Sequence, residues 1–187
     1  MTKKDLRVKY KALRNQLSAE EVDSKSLEIV NHLLKLPIWD RNCFHIFLPI
    51  AAHNEINTEY ILHLLSGKDK NIIIPKSSFK YRTMKHFLLT DNTKILLNEF
   101  GIPEPEDGIE VATNKIEVVF VPLLAYDKKG HRVGYGKGFY DKFLSECTSD
   151  TIKIGLSVFA AEEYISDAST TDIKMNYCVT PEEVHAF

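Results

Sequence analysis

The chain has 187 residues, of which 44% are hydrophobic and 27% charged, and its formal net charge is −2. That length suits one well-buried core and is short for two, so we expect a single domain over residues 1–187. The weak net charge gives no sign of a nucleic-acid partner, and no stretch stays apolar for long enough to cross a membrane.

The N-terminal sequence and the cysteines give information on the cellular compartment of the protein. The basic residues at the start of the chain are not followed by the apolar segment that a secretory signal requires, so we expect a cytoplasmic protein. The 3 cysteines and 7 histidines show no metal-binding spacing. Zinc chemistry and a disulfide scaffold are therefore not indicated.

Two helices are predicted at the start of the chain. Apolar residues recur at helical spacing on one face of the first helix: Leu6, Tyr10, Leu13 and Leu17. Lys3, Arg7 and Arg14 would form a basic stripe beside that face, directed along the surface of the domain. Ser18 and Glu21 then form a capping-box pattern, which predicts that a second helix begins there.

The rest of the chain alternates buried strands with helices. Strands are predicted at four apolar stretches, with two further candidates near the C-terminus: 43–48, 71–75, 83–89, 117–126, 152–158 and 177–179. Another helix is predicted at 58–65. Continuously apolar strands between helices favour a largely parallel sheet covered on both faces, so the fold class is α/β, with a three-layer α/β/α domain.

A glycine-rich loop follows the strand at 117–126. Gly134, Gly136 and Gly138 lack a Cβ and can adopt positive φ, so their N–H groups can surround a bulky anion such as phosphate. A helix that begins near Phe139 would add a favourable dipole at its N-terminus. The spacing matches neither the dinucleotide-binding motif nor a Walker A loop, and by itself it fits a flexible surface turn equally well.

Charged residues around this loop favour a nucleotide as the ligand. Arg132 and Lys137 flank the glycines and can supply cations to phosphate oxygens. Asp141 follows the loop and can supply a hard carboxylate to Mg²⁺.

The segment at 134–141, Gly-Tyr-Gly-Lys-Gly-Phe-Tyr-Asp, resembles the signature of 5-formyltetrahydrofolate cyclo-ligases. Three further blocks resemble that family in the same order, at 3–7, 47–56 and 101–105, so the resemblance covers nearly the whole chain. It implies an ATP- and magnesium-dependent enzyme that converts 5-formyltetrahydrofolate into 5,10-methenyltetrahydrofolate and releases ADP and phosphate. It also implies a monomer.

The resemblance further implies which residues bind ATP. They fall in two blocks: Lys3, Lys4, Asp5, Leu6 and Arg7, and Arg132, Val133, Gly134, Tyr135, Gly136, Lys137, Gly138, Phe139 and Tyr140. Among these, Lys137 and Arg132 would act in catalysis by balancing charge on the transferring phosphoryl group. Arg14 joins this set only through its place in the basic stripe.

The magnesium and folate sites are implied in the same way. Asp141 and Asp172 would hold magnesium. The folate would be bound by residues from two regions: Leu48, Ile50, Glu55, Tyr135 and Phe139. Some members of the family have Arg where this chain has Tyr135, so a charge contact made there is replaced or absent here.

In the mechanism that the family implies, the γ-phosphoryl group moves to the formyl oxygen, N10 attacks the activated carbon, and phosphate leaves as the ring closes. Two alternatives stay open: a non-catalytic nucleotide- or folate-binding module of the same fold, and a sugar-phosphate isomerase or transferase. Taken singly, Glu55 also fits a solvated residue at a helix entry, and Asp172 fits a turn cap.

Overall fold

A seven-stranded sheet forms the centre of the computed structural model, which describes residues 1–187. The strands are β1 (Cys43–His45), β2 (Asn71–Ser78), β3 (Thr83–Leu88), β4 (Ile95–Leu97), β5 (Pro103–Pro105), β6 (Val118–Pro122), β7 (Ala125–Tyr126), β8 (Arg132–Val133), β9 (Ile152–Leu156), β10 (Tyr177–Val179) and β11 (Val184–Ala186). The helices are α1 (Lys3–Asn15), α2 (Ala19–Leu33), α3 (Glu59–Gly67) and α4 (Phe139–Glu146).

The sheet is largely parallel, as the sequence predicts. Its strand order is β11-β10-β9-β6-β1-β2-β3. The four inner pairings are parallel, and only the two edge strands, β3 and β11, run antiparallel to their neighbours. The parallel pairs bring the C-terminal ends of β1 and β6 to the same edge of the sheet.

Helices cover both faces of the sheet, which confirms the three-layer arrangement. One face packs in a core cluster with α2 and α3, through residues such as Ile29 and Leu65. The other face packs in a second cluster with Phe143 and Leu144 of α4. Neighbouring residues of β6 divide between the two clusters, Phe120 in the first and Val121 in the second, because successive side chains in a strand point to opposite faces.

Helix α1 packs at the edge of these three layers, against a short hairpin. Its fully buried Leu6 shares a small cluster with Ala125 of β7 and Val133 of β8. The predicted strand at 117–126 is in fact two strands, since β6 ends at Pro122 and β7 begins the hairpin at Ala125. The hairpin carries the chain from the sheet to the glycine loop, directly beside α1.

Both long N-terminal helices begin with a capping box. Ser18 accepts a hydrogen bond from the Glu21 N–H, as predicted, and the Glu21 carboxylate bonds back to the Ser18 N–H. Thr2 and Asp5 make the same reciprocal pair at the start of α1. None of the helices is both long and apolar enough to span a membrane.

Candidate active site

The glycine loop and the loop that carries Glu55 meet at one edge of the sheet. The first follows β6 through the β7–β8 hairpin, and the second follows β1, the parallel neighbour of β6. Ligands of open α/β sheets bind beyond the carboxyl ends of the strands. The topology therefore places both predicted ligand-binding segments where such a site is expected.

Within the loop, two of the three glycines adopt a positive φ, which favours glycine over other residues. Gly136 has φ of 87° and Gly138 has φ of 77°. A Cβ at Gly136 would lie 3.1 Å from Cζ and Nε of Arg7, whereas a Cβ at Gly134 would meet nothing within 4 Å. Gly138 is the N-cap of α4, and no side chain caps that helix, which leaves its N-terminus open to an anion.

In the N-terminal basic block, Arg7 contacts the glycine loop and Lys3 pairs with Asp172. Nε of Arg7 donates to the Gly134 carbonyl at 2.9 Å. Nζ of Lys3 forms an ion pair with Asp172 at 2.5 Å. The other three residues of the block face elsewhere: Lys4 and Asp5 are exposed and Leu6 is in the core.

Arg132 pairs with Asp141, one of the two carboxylates that were predicted to hold magnesium. Its guanidinium is buried, and Nη2 is 2.5 Å from Oδ1 of Asp141. Burial lowers the pKa of Arg132, and the charges of Asp141 and Asp172 oppose that shift. For Asp172, burial would raise the pKa, but hydrogen bonds from Lys3 and the Ser169 N–H outweigh it and hold the pKa below its usual value.

Two carboxylates are too few to enclose a metal ion, and the chain has no group of three or more His, Cys, Asp or Glu side chains suited to one. Magnesium is commonly held by one or two carboxylates, with water and substrate phosphates completing the octahedron. Asp141 fits that mode because its side chain is 66% exposed beside the loop. Lys137, between Gly136 and Gly138, is exposed as well.

Glu55 is buried, and each of its carboxylate oxygens accepts a hydrogen bond, so it is not a solvated helix-entry residue. Its Oε2 accepts from the Ile50 N–H at 2.7 Å, and its Oε1 accepts from the Tyr135 hydroxyl. Burial and the charge of Glu55 raise the pKa of Tyr135, although Arg14 opposes the shift. Tyr135 therefore remains a protonated donor at neutral pH and links the glycine loop to Glu55.

Arg14 departs from its expected place in a surface stripe. Only 5% of the residue is exposed. Its Nη1 donates to the Tyr135 hydroxyl at 2.8 Å, and its Nη2 donates to the Leu123 carbonyl at 2.7 Å. The expected stripe is thus wrong for this residue, because α1 turns Arg14 inward against the hairpin and the glycine loop.

An aromatic cluster that the sequence did not reveal stands beside the loop. The ring of Phe79 lies 4.1 Å from that of Phe100 and 5.1 Å from that of Phe139, measured between centroids. Phe79 follows β2 and Phe100 lies between β4 and β5, so no local pattern joins them. The one available signal was that Phe100 directly precedes the block at 101–105.

A cavity of about 460 Å³ lies on the α2 side of Glu55. It is lined by residues of α2 and of the loop after β1: Ala19, Glu20, Val22, Asp23, Ala51, Asn54, Glu55 and Asn57. None of the glycine-loop residues lines it, and its acidic side chains would repel phosphate. The cations suited to phosphate are Arg7, Lys137 and Arg132, and they lie in the glycine loop or next to it.

Comparisons with known proteins relate the chain to one family. The model of the 5-formyltetrahydrofolate cyclo-ligase family matches residues 1–181. The chain is similar to 5-formyltetrahydrofolate cyclo-ligase from Haemophilus influenzae, with 30% identity over 162 residues, covering 83% of this chain and 84% of the relative. It is also similar to the 5-formyltetrahydrofolate cyclo-ligase of Mus musculus, with 30% identity over 152 residues, covering 78% of this chain and 74% of the relative. The NMR structure of Aquifex aeolicus 5,10-methenyltetrahydrofolate synthetase has a TM-score of 0.83 and 28% identity, covering 100% of this chain and 93% of that one.

Proposed function

The chain belongs to the 5-formyltetrahydrofolate cyclo-ligase family, and from this membership we propose that it closes 5-formyltetrahydrofolate into 5,10-methenyltetrahydrofolate while ATP becomes ADP and phosphate. The observation that carries the proposal is the hydrogen bond from Tyr135 to Glu55. It joins the loop suited to phosphate to the residue expected to bind folate, so the two substrates would meet at this contact.

The ATP end of the site would be formed by the glycine loop and its cations. The loop N–H groups and the start of α4 suit the phosphate oxygens. Arg7 is already within contact of Gly136, and exposed Lys137 is free to follow the transferring group. Arg132 would contribute its positive charge from a buried position, and its pairing with Asp141 fixes the start of α4 relative to the hairpin.

The folate end would be formed by Glu55 and apolar side chains. Glu55 is a fixed acceptor for N–H groups of the substrate, since Ile50 and Tyr135 orient its carboxylate. Half-buried Leu48 and Ile50 offer apolar contact near it. Phe79 and Phe100, next to Phe139, offer aromatic faces on which a ring of the substrate could stack.

The reaction needs activation of a poor electrophile, because the N5 lone pair is delocalised into the formyl carbonyl. The formyl oxygen attacks the γ-phosphorus, its bond to ADP breaks, and an imidate-like phosphate ester forms. N10 then attacks the formyl carbon, the C–O bond breaks with loss of inorganic phosphate, and the N10 proton departs. The protein contributes positioning and charge stabilisation and needs no nucleophile of its own.

Magnesium would be held by Asp141 and Asp172 together with phosphate oxygens. When bound, it would neutralise charge on the phosphates and align them. Asp141 pairs with Arg132, and Asp172 pairs with Lys3. Each carboxylate would therefore interact with its cation and with the metal. We also propose that the protein acts as a monomer in the cytoplasm.

The test is to incubate the pure protein with 5-formyltetrahydrofolate and ATP and to follow absorbance of the methenyl product and release of ADP. We expect product only when both substrates are present. Nucleotide or folate binding without product would favour the non-catalytic module, and turnover of a sugar phosphate without either substrate would favour an isomerase or transferase.

A further inference from the structure

Arg14 is a buried cation that the proposed reaction does not yet use. Its side chain is 6% exposed, and that of Glu55, 3.9 Å from Nη1, is 4% exposed. The buried Nε of Arg14 has no hydrogen-bond partner. Burying a guanidinium is unfavourable unless a charge and several acceptors compensate it. Glu55 is the acidic residue in reach, so the two charges are matched to each other.

Tyr135 stands between these two charges. Its hydroxyl accepts from Arg14 at 2.8 Å and donates to Oε1 of Glu55. A phenol can do both at once, with one donor proton and free lone pairs. The three side chains therefore form a continuous chain from α1, through the glycine loop, to the loop after β1.

A second contact fixes the geometry of this chain of residues. Nδ2 of Asn54 donates to the carbonyls of Arg14 and Leu17. Asn54 itself has φ of 45°, a left-handed conformation that asparagine tolerates better than most residues. The backbone directly before Glu55 is thus tied to the last turn of α1, from which Arg14 extends.

We propose that Arg14 is a positioning residue for folate binding, which holds the Glu55 carboxylate in its orientation through Tyr135. This inference rests on the proposed function, since it takes Glu55 as the acceptor for the substrate. It also reassigns Arg14 from the ATP site to the folate site. The cation that orients Glu55 then comes from α1, and the loop contributes only a neutral phenol.

The first test compares the Michaelis constants for the two substrates in Arg14→Leu and Tyr135→Phe. We expect Arg14→Leu to raise the KM for 5-formyltetrahydrofolate about tenfold or more, with the KM for ATP changed less than about twofold. Tyr135→Phe, which removes only the bridging hydroxyl, should shift the folate constant in the same direction. The matched control is Lys9→Leu, which removes from the same helix a cation that pairs with Glu162.

The second test moves the cation to the loop. In the double variant Arg14→Leu with Tyr135→Arg, the guanidinium is carried by position 135, whose present side chain contacts Glu55, and we expect it to recover part of the lost folate affinity. A residue that served only to stabilise the fold would not show such rescue. Thermal melting of each variant separates a loss of folding from a loss of binding, and Tyr135→Phe carries the test if Arg14→Leu does not fold.

The outcomes separate the two proposals. If the wild-type protein forms no methenyl product, the proposed function itself fails. If the wild type is active but the folate constant is unchanged in folded Arg14→Leu or in Tyr135→Phe, the role of Arg14 is overturned and the function stands. An equal rise in both Michaelis constants would also overturn it, because Arg14 would then act on the whole site.

Discussion

The guanidinium of Arg7 lies against the backbone of Gly136, so that a Cβ there would approach Cζ and Nε to 3.1 Å. This contact ties the N-terminal helix to the glycine loop. Because φ of Gly136 is 87°, a side chain would also strain the backbone by roughly 1 kcal/mol or more. The loop conformation and the position of Arg7 are therefore linked.

We expect Gly136→Ala to weaken ATP binding about tenfold or more, because Arg7 must move and the loop must change shape. Isothermal titration calorimetry with ATP measures this directly. Gly134→Ala is the matched comparison, since a Cβ there meets nothing within 4 Å, and it should weaken binding less. Equal effects of the two substitutions would contradict the proposed importance of the Gly136 contact.

Lys137 should act on turnover and not on folding. Its side chain is exposed, so Lys137→Ala should change the melting temperature little while lowering kcat about 100-fold. The control is Lys142→Ala, which removes an exposed cation that lies in α4 and outside the glycine loop. Wild-type turnover in a folded Lys137→Ala protein would remove Lys137 from the phosphoryl-transfer step.

Asp141→Asn should raise the magnesium concentration needed for half-maximal activity, because the amide is a weaker ligand than the carboxylate. The alternative is that Asp141 only supports the start of α4 through its charge and its bond to Arg132. In that case the melting temperature would fall and the magnesium titration curve would not move. Measuring both quantities on the same protein decides between the two roles.

A buried histidine pair predicts that acid destabilises the protein. His45 and His86 have ring centroids 5.1 Å apart beneath α4, and none of their ring nitrogens has a hydrogen-bond partner. Burial lowers the pKa of both, that of His86 to about 4, where the nearby charge of Glu110 opposes the shift. Both imidazoles are therefore neutral in the folded protein at neutral pH.

Because the unfolded chain binds protons near the ordinary histidine pKa of 6.5, stability should be full above that pH and should fall as the pH drops toward 4. The loss from His86 would reach at most about 3 kcal/mol. Urea melts between pH 7 and pH 4 measure it. His86→Phe should flatten this dependence, whereas His63→Gln, at an exposed position, should leave it unchanged; an equally steep curve for His86→Phe would contradict the assignment.

Elements with strong local signals could be predicted from the sequence. The capping box at Ser18 predicted the start of α2, and the apolar run at 71–75 lies within β2. Short elements stabilised mainly by tertiary contacts were missed. The β4–β5 hairpin has exposed Leu96 and Leu97 and no alternation, and β8 is only two residues long.

The candidate site shows the same division. The glycines and charges of the loop are contiguous in sequence, so their role could be inferred before the fold was known. The environment of Arg14 depends on residues 40 and more than 100 positions away, which helical spacing cannot reveal. That residues 1–187 fold as one domain stays a prediction, and a single cooperative melting transition would support it.

Transfer of the γ-phosphoryl group to the formyl oxygen can be tested by following that oxygen through the reaction. The pure protein would convert 5-formyltetrahydrofolate carrying ¹⁸O in the formyl group, with unlabelled ATP and magnesium, and the phosphate released would be analysed by mass spectrometry. We expect one ¹⁸O atom in each inorganic phosphate, formed in equal amount to the methenyl product. Methenyl product accompanied by unlabelled phosphate, with the ¹⁸O lost to water, would contradict it.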